Sequence, residues 1–299
     1  MKFWKMNGAG NDFIILDGIR EKINTEDVPR IAAVLCERHL SIGADGLMLV
    51  LPAASDREDY RMLFYNSDGS MGEMCGNGAR CICRYGFDTG LAGEIQRVGT
   101  TAGLVTGQRI DAGRYRVRLN DPAGLRMEEN LTVDGKPYVC SYVELGDPGV
   151  PHAVLELPAE FRQAVGTLLK APEKIAQKDR EFLAELRELG RKLRYHSAFP
   201  KGANVDFYTV TGEDRLEMIT YERGVEDFTY ACGTGAGSVV YVLSQKKKTG
   251  RTGVRVLNRG GLLSVDVTGD GLYLTGPTNV VAKGEVTDAA LTGTDSEKT

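Results

Sequence analysis

Histidine is scarce, with three residues in a chain of 299. No Cys or His pair stands at ligand spacing to complete Cys81-x-Cys83, so zinc is set aside and no metal is expected. Neither sign of charge is in excess. A net charge of −4 leaves no electrostatic footprint for nucleic acid. The one basic run, Lys246-Lys247-Lys248, follows an apolar segment and reads as a solvated helix end. No apolar run reaches the length that crosses a bilayer. The stretch MKFWKMNGAG lacks the apolar core and cleavage site of a secretory signal. Neither nucleic acid nor membrane is therefore expected as a partner, and a cytosolic location is. Cofactor signatures are missing as well. Gly8-Ala9-Gly10-Asn11-Asp12-Phe13 begins like a dinucleotide fingerprint, but a strand follows where a helix is required. No P-loop or cofactor-binding lysine motif stands out, and no cofactor is expected. Six cysteines (36, 75, 81, 83, 140 and 232) do not make a disulfide scaffold in a chain of this size.

What is present is globular. Hydrophobic residues make up 42% and charged residues 26%, and the length suffices for two ordinary domains or one large one. One stretch organises the rest: MCGNGARCIC, from Met74 to Cys83. Ala231-Cys232-Gly233-Thr234-Gly235-Ala236 nearly repeats it. A second echo accompanies the first, with Gly10-Asn11-Asp12-Phe13 before one cysteine and Ala203-Asn204-Val205-Asp206-Phe207 before the other. A cysteine just ahead of a helix sits at its positive end, which favours thiolate and lowers the pKa. The glycines leave backbone N–H groups of the first turn pointing outward, a ready seat for a carboxylate or phosphate. The bland alternative is that Cys75 and Cys232 are small buried residues in tight turns. Two copies, each with its companion, favour two thiols facing one site.

Along the chain, a hairpin is expected over the first 17 residues, with the Asn and Gly of its turn at positive φ and Asn11 offering an amide to a ligand. The spacing predicts a helix over 28–39 capped by Asn24-Thr25, then strands over 47–51 and 60–65 and a helix over 79–86. Residues 95–145 read as β-rich, with Pro122-Ala123-Gly124 as a linker between halves. A turn over 146–152 leads into a strand over 153–157, which places His152 at a loop–strand junction. The clearest helix runs over 172–193, its apolar stripe reading as core. Strands follow over 205–210 and 215–220. Tyr221-Glu222-Arg223-Gly224-Val225 is a turn with adjacent carboxylate and guanidinium. The second cysteine motif then opens a helix through Leu243. Strands over 254–257, 263–267, 272–275 and 280–286 close the pattern, and the tail after Leu291 is expected to be disordered. Similar order in both halves points to two similar α+β domains with a site in the cleft between them.

Paired cysteines suit disulfide redox chemistry or proton transfer on both faces of a carbon. Redox pairs usually come as Cys-x-x-Cys; here each partner has its own anion seat in its own half. Removing a proton α to a carboxylate needs a placed base and stabilisation of the charge that develops. Two helix ends aimed at that carboxylate could supply it without metal or pyridoxal phosphate, one thiolate taking a proton and the opposite thiol delivering another.

The chain resembles the diaminopimelate epimerases, of the cofactor-independent two-cysteine racemase group. The stretches that carry the likeness are KMNGAGNDFIILD, GADGLMLV, FYNSDGS, MCGNGARC, FPKGANVDFYTV, YERGVEDFTYACGTGA and Gly260-Gly261. The resemblance implies that Cys75 and Cys232 are the acid/base pair. It implies that Gly76-Asn77 and Gly233-Thr234 hold the reacting carboxylate, and that Asn11, Asn66, Asn204, Glu222 and Arg223 line the rest of the pocket. His152 and Glu222 would tune the cysteines' protonation. The implied fold is two pseudo-symmetric domains, each a barrel-like, mostly antiparallel sheet around a central helix. Their expected extents are 1–121 plus 277–299, and 122–276. The implied reaction converts LL- to meso-diaminopimelate for lysine and peptidoglycan synthesis, with a small-molecule amino-acid substrate as the partner and a homodimer left open. One departure stands out: Val150-Pro151-His152 replaces the Asn-Pro-His of many members, removing an amide that would contact substrate. The rivals are a racemase of another amino acid, such as a basic one, and a non-catalytic amino-acid-binding or thiol-redox protein.

Overall fold

The computed structural model describes residues 1–72, 75–147 and 149–288. The chain divides into two compact units. One runs from Met1 to Val117 and resumes at Gly276; the other is Arg118–Thr275. Each is mixed α+β, with more strand than helix.

In the first unit, β1 (Lys2–Gly8) and β2 (Asn11–Asp17) form the expected hairpin, with Gly8 opposite Asn11. Its positive-φ positions are Ala9 at 53° and Gly10 at 92°, not an asparagine. Asn7 instead braces the turn, its Oδ1 accepting from the Gly10 N–H at 3.4 Å. Helix α1 (Val28–Cys36) begins where the spacing predicts but ends before His39, which takes a φ of 76° that no helix continues. Its N-cap is Asp27; Asn24 uses its Oδ1 on the Glu26 N–H at 3.3 Å instead. Next come β3 (Gly46–Leu51), β4 (Tyr60–Asn66), α2 (Gly76–Asp88), β5 (Ile95–Thr100), β6 (Gly103–Arg109) and β7 (Arg114–Leu119). Strand β2 runs parallel to β3, β3 antiparallel to β4, β4 parallel to β5 and β5 antiparallel to β6.

The two apolar runs FIIL and LMLV are buried on both faces because helices cover both sides. Ile14, Leu16, Leu47 and Leu49 pack with Ile31 and Leu35 of α1. Phe13 and Met48 reach the opposite face, against Gly78 of α2. Helix α2 packs on β1, β2, β5 and β6, so the strands curl around it.

The second unit opens with a long hairpin, β8 (Pro122–Val133) and β9 (Lys136–Gly146). The expected linker at 122–124 is therefore the start of a strand, Pro122 pairing with Leu145 and Ala123 with Glu144. Strand β10 (Gly149–Glu156) follows, then α3 (Arg162–Lys170), which the sequence pattern did not reveal. The helix expected over 172–193 is interrupted. Pro172–Lys174 is a 3-10 turn, Ile175 is extended at ψ 113°, and α4 (Gln177–Arg194) restarts with the Asp179 carboxylate accepting from the Ala176 N–H at 3.3 Å. Then come β11 (Asn204–Gly212), β12 (Arg215–Glu222), β13 (Asp227–Phe228), α5 (Gly233–Gln245), β14 (Val254–Asn258), β15 (Gly261–Val267) and β16 (Leu272–Pro277). Strand β17 (Asn279–Glu285) returns to the first unit and pairs antiparallel with β1.

Helix α5 is apolar all round, as a helix inside a sheet must be. Val239, Val240, Val242 and Leu243 are fully buried, and the helix packs on β8, β9, β10, β11 and β15. Leu186, Leu189 and Leu193 of α4 join a cluster with Phe207, Ile219 and Tyr221. Each unit thus repeats one plan, a glycine-opened helix within curled strands, with α1 packed on the strands of the first unit and α3 and α4 on those of the second. Lys246, expected in solvent, has a side chain only 12% exposed and pairs with Glu128 at 3.2 Å. Among the described residues no helix is long and apolar enough to cross a membrane. The tail after Leu291 lies outside the described residues.

Candidate active site

Cys75 is the N-cap of α2, with extended backbone at φ −109° and ψ 116°. It is half-buried, and its carbonyl accepts from the Ala79 N–H at 2.7 Å to close the first turn. Beneath it lies Arg80, fully buried although charged. Burial lowers the guanidinium to about 10, with the cysteines around it acting in the other direction, so it remains a cation at neutral pH. Its Nη2 donates to Asn77 Oδ1 at 2.8 Å and its Nη1 to the Gly76 carbonyl at 3.3 Å. A guanidinium only donates, so it fixes the Asn77 amide oxygen toward itself. The Asn77 NH2 then donates to Asn11 Oδ1 at 2.6 Å, and the Asn11 NH2 to Asp45 Oδ2 at 3.1 Å. Arg38 joins Asp45 at 2.8 Å to Asp12 at 2.6 Å, and Lys5 reaches Asp12 at 2.7 Å. Burial opposes the Asp12 charge, but hydrogen bonds from Arg38 and Lys5 prevail and hold its carboxyl below the usual range. A Cβ on Gly8 would sit 2.7 Å from the Asn77 carbonyl, so glycine is what lets the β1–β2 hairpin close on this turn of α2. Asn66, at the end of β4, donates through Nδ2 to Ser70 Oγ at 3.0 Å.

Cys232 is the N-cap of α5, at φ −107° and ψ 112°. The echo in the sequence is thus an echo in backbone conformation. The Gly235 N–H donates to Sγ at 3.3 Å, and Thr234 Oγ1 lies 3.4 Å from it. The side chain is 7% exposed, and burial pushes the thiol well above its ordinary value; the Glu222 and Asp206 carboxylates push the same way. Thr234 and the Gly235 amide pull it down without prevailing. The expectation that a helix end leaves each cysteine ready to ionise therefore fails at Cys232, where desolvation and two anions outweigh it.

His152 is not at a loop–strand junction. It is fully buried within β10, opposite Asn204 of the parallel strand β11. Its Nδ1 lies 2.8 Å from Asp206 Oδ2. Asn204 ties the turn after β12 to β10, its Oδ1 accepting from the Arg223 N–H at 2.8 Å and its Nδ2 donating to the Pro151 carbonyl at 3.3 Å. Arg223 Nη1 donates to the Lys201 carbonyl at 3.3 Å, and Glu222 Oε2 accepts from the Thr229 hydroxyl at 2.9 Å. Val150 is paired with Leu145 in the β9–β10 ladder.

Within the first unit, hydrogen bonds join Asn11 and Asn77 beside Cys75 and Gly76, with Asn66 on the neighbouring strand end. The second unit holds His152, Asn204, Glu222, Arg223, Cys232, Gly233 and Thr234. Four participants are not marked by the sequence: Arg80, Asp45, Asp206 and Thr220, whose hydroxyl donates to Asp206 Oδ1 at 2.7 Å. Asp206 stands inside the echo that begins at Ala203, and Asp45 inside the turn before β3, so each lay in a stretch already singled out. What chain order does not reveal is that both are acceptors for neighbouring site residues. Among the described residues no cluster of His, Cys, Asp or Glu could hold a metal ion.

The family model described as diaminopimelate epimerase matches residues 3–122 and 174–281. The diaminopimelate epimerase of Aquifex aeolicus is 35% identical over 305 residues, covering 97% of this chain and 99% of its own. That of Archaeoglobus fulgidus is 35% identical over 292 residues, covering 94% and 95%. Solved structures with the same fold include a probable proline racemase from Agrobacterium radiobacter, with TM-score 0.65, 14% identity and coverage of 97% and 95%. A phenazine biosynthesis protein of the PhzF family from Bacillus anthracis has TM-score 0.66 at 15% identity, with coverage of 96% and 99%. At those identities the structures speak for the fold alone. The matches to the family model and to the epimerases span both cysteine motifs and nearly the whole sequence, and the chain belongs to the diaminopimelate epimerase family.

Proposed function

We propose that this chain interconverts LL- and meso-diaminopimelate by a cofactor-independent, two-base mechanism, with Cys75 and Cys232 working on opposite faces of the α-carbon. One observation carries the reading: two cysteines, each the N-cap of a glycine-opened helix, stand in nearly the same backbone conformation in the two units of a member of this epimerase family. The amides of the first turns of α2 and α5 hold the reacting carboxylate. As the proton leaves, charge spreads onto that carboxylate, and helix N-termini stabilise it as it develops. One sulfur, as thiolate, takes the proton; the other, as thiol, returns one from the opposite side. Burial with the Glu222 and Asp206 carboxylates favours the thiol form of Cys232, which suits it to act as the acid, with Cys75 as the base.

Arg223 takes the distal carboxylate of the substrate, and Glu222 with the asparagine amides takes the distal amine. On this reading the product serves lysine and peptidoglycan synthesis, and the enzyme works in the cytoplasm. Val150, with no amide to offer, favours the second reading, a racemase of another amino acid in the same scaffold. Incubation in heavy water with a panel of amino acids separates the two. The proposal expects α-deuterium in diaminopimelate; exchange into a monoamino acid with none into diaminopimelate would refute it.

A further inference from the structure

The imidazole of His152 has one nitrogen engaged and one bare. Nδ1 lies 2.8 Å from Asp206 Oδ2, both side chains being wholly buried. Nε2 is also buried and has no hydrogen-bond partner among the described residues. A bare polar atom in a packed interior is costly, and native proteins keep few of them. The other oxygen of Asp206, Oδ1, accepts from the Thr220 hydroxyl at 2.7 Å. An ionised carboxylate has no proton to give, so Nδ1 carries the shared hydrogen, and in the neutral imidazole Nε2 then presents a lone pair.

The surroundings pin this arrangement. Strands β10 and β11 run parallel, with His152 opposite Asn204 and Val154 opposite Asp206, so the imidazole and the carboxylate come from adjacent strands of one ladder. Thr220 stands opposite Asp206 on β12. The first turn of α5 closes from the other side: a Cβ on Gly235 would lie 2.4 Å from Asp206 Oδ1.

We propose that Asp206 is a positioning residue of the reaction, holding His152 as the Nδ1–H tautomer so that Nε2 is a preorganised proton acceptor. This rests on the two-cysteine reading, in which His152 tunes a cysteine. In the step it serves, a thiol proton passes to Nε2, the sulfur keeps the electron pair as thiolate, and the new imidazolium is stabilised by the Asp206 carboxylate. No electrons are exchanged with any other group.

The test uses the full chain labelled with nitrogen-15 in its three histidines, with His152→Gln to assign the signals. Without substrate, wild-type His152 is expected to carry hydrogen on Nδ1 and none on Nε2. In Asp206→Asn the amide NH2 donates to Nδ1 and moves the hydrogen to Nε2. There kcat is expected to fall about 10²-fold or more while KM changes by less than about threefold. Hydrogen on Nε2 of the wild type overturns the proposal, and so does a folded Asp206→Asn whose kcat stays within about threefold of wild type. Should the variant not fold, the wild-type tautomer decides alone. Failure of the two-cysteine reading appears elsewhere, as turnover that survives replacement of the cysteines, and leaves the substrate-free tautomer unchanged.

Discussion

The Asn77 amide donates to Asn11 at 2.6 Å, and the direction of that bond is set by Arg80 on the other side of Asn77. One buried guanidinium thereby orients two amides at the mouth of α2. Replacing Arg80 by Met keeps the length of the side chain but removes its hydrogen bonds to the Asn77 oxygen and the Gly76 carbonyl. Losing hydrogen bonds from a charged donor in the interior is expected to cost about 2–3 kcal/mol. A shift of the urea midpoint toward lower concentration at unchanged slope would show it; an unchanged midpoint would show that the guanidinium contributes nothing.

Gly235→Ala addresses the second unit. The added methyl would meet Asp206 Oδ1 at 2.4 Å and the Cys232 Cβ at 3.2 Å. Either the carboxylate or the sulfur must move, and small displacements of catalytic groups cost about 10²-fold in rate. The expectation is a loss of that order in kcat with the fold retained. Wild-type turnover would show that the close approach of α5 to Asp206 is not needed.

The free thiols give the fold a signed pH dependence. Burial pushes Cys36, Cys81, Cys83 and Cys140 up to about 12, and Cys232 well upward too. In the unfolded chain each ionises near about 8.5. The native state therefore holds protons that the unfolded state releases, and stability falls as pH rises through that window. Each thiol contributes up to about 1.4 kcal/mol per pH unit, fully present below the unfolded pKa and lost by the folded one. Urea unfolding at successive pH values from neutral to alkaline should show the decline; a flat or rising profile would contradict it.

None of the six cysteines is joined in a disulfide. If Cys75 and Cys232 flank one carbon, a mild oxidant acting on the substrate-free enzyme is expected to link them and abolish activity, and dithiothreitol to restore it. Peptide mapping reads the outcome. A linkage between any other pair, with activity lost in step, would place the vulnerable sulfurs elsewhere.

What could be read in the sequence, and what could not, follows from the range of the interactions. Cys75 and Cys232 as helix caps are local: a glycine-rich step and a small-residue run declare a helix start within a few residues. The FIIL and LMLV runs likewise declare buried strands. The helix expected over 172–193 shows the limit of periodicity, because the apolar stripe runs on through Ile175 although the backbone there is extended. Helix α3 was hidden by its polar flanks, and Pro122-Ala123-Gly124 took the composition of a linker while serving as an edge of β8. Arg80 has the look of a solvent-facing helix residue; its burial depends on strands that arrive from elsewhere in the chain. The His152–Asp206 bond joins residues 54 positions apart and exists only because β10 and β11 pair in parallel, a register that no pattern of residues displays.

The central claim is that both sulfurs are needed for one turnover. Cys75→Ala and Cys232→Ala, each checked for native circular dichroism, should be assayed separately for conversion of LL- to meso-diaminopimelate with deuterium capture at the α-carbon. The account predicts that each single replacement lowers conversion by about 10³-fold or more, since neither remaining group can both take and return the proton. Conversion near the wild-type rate in either variant would contradict it.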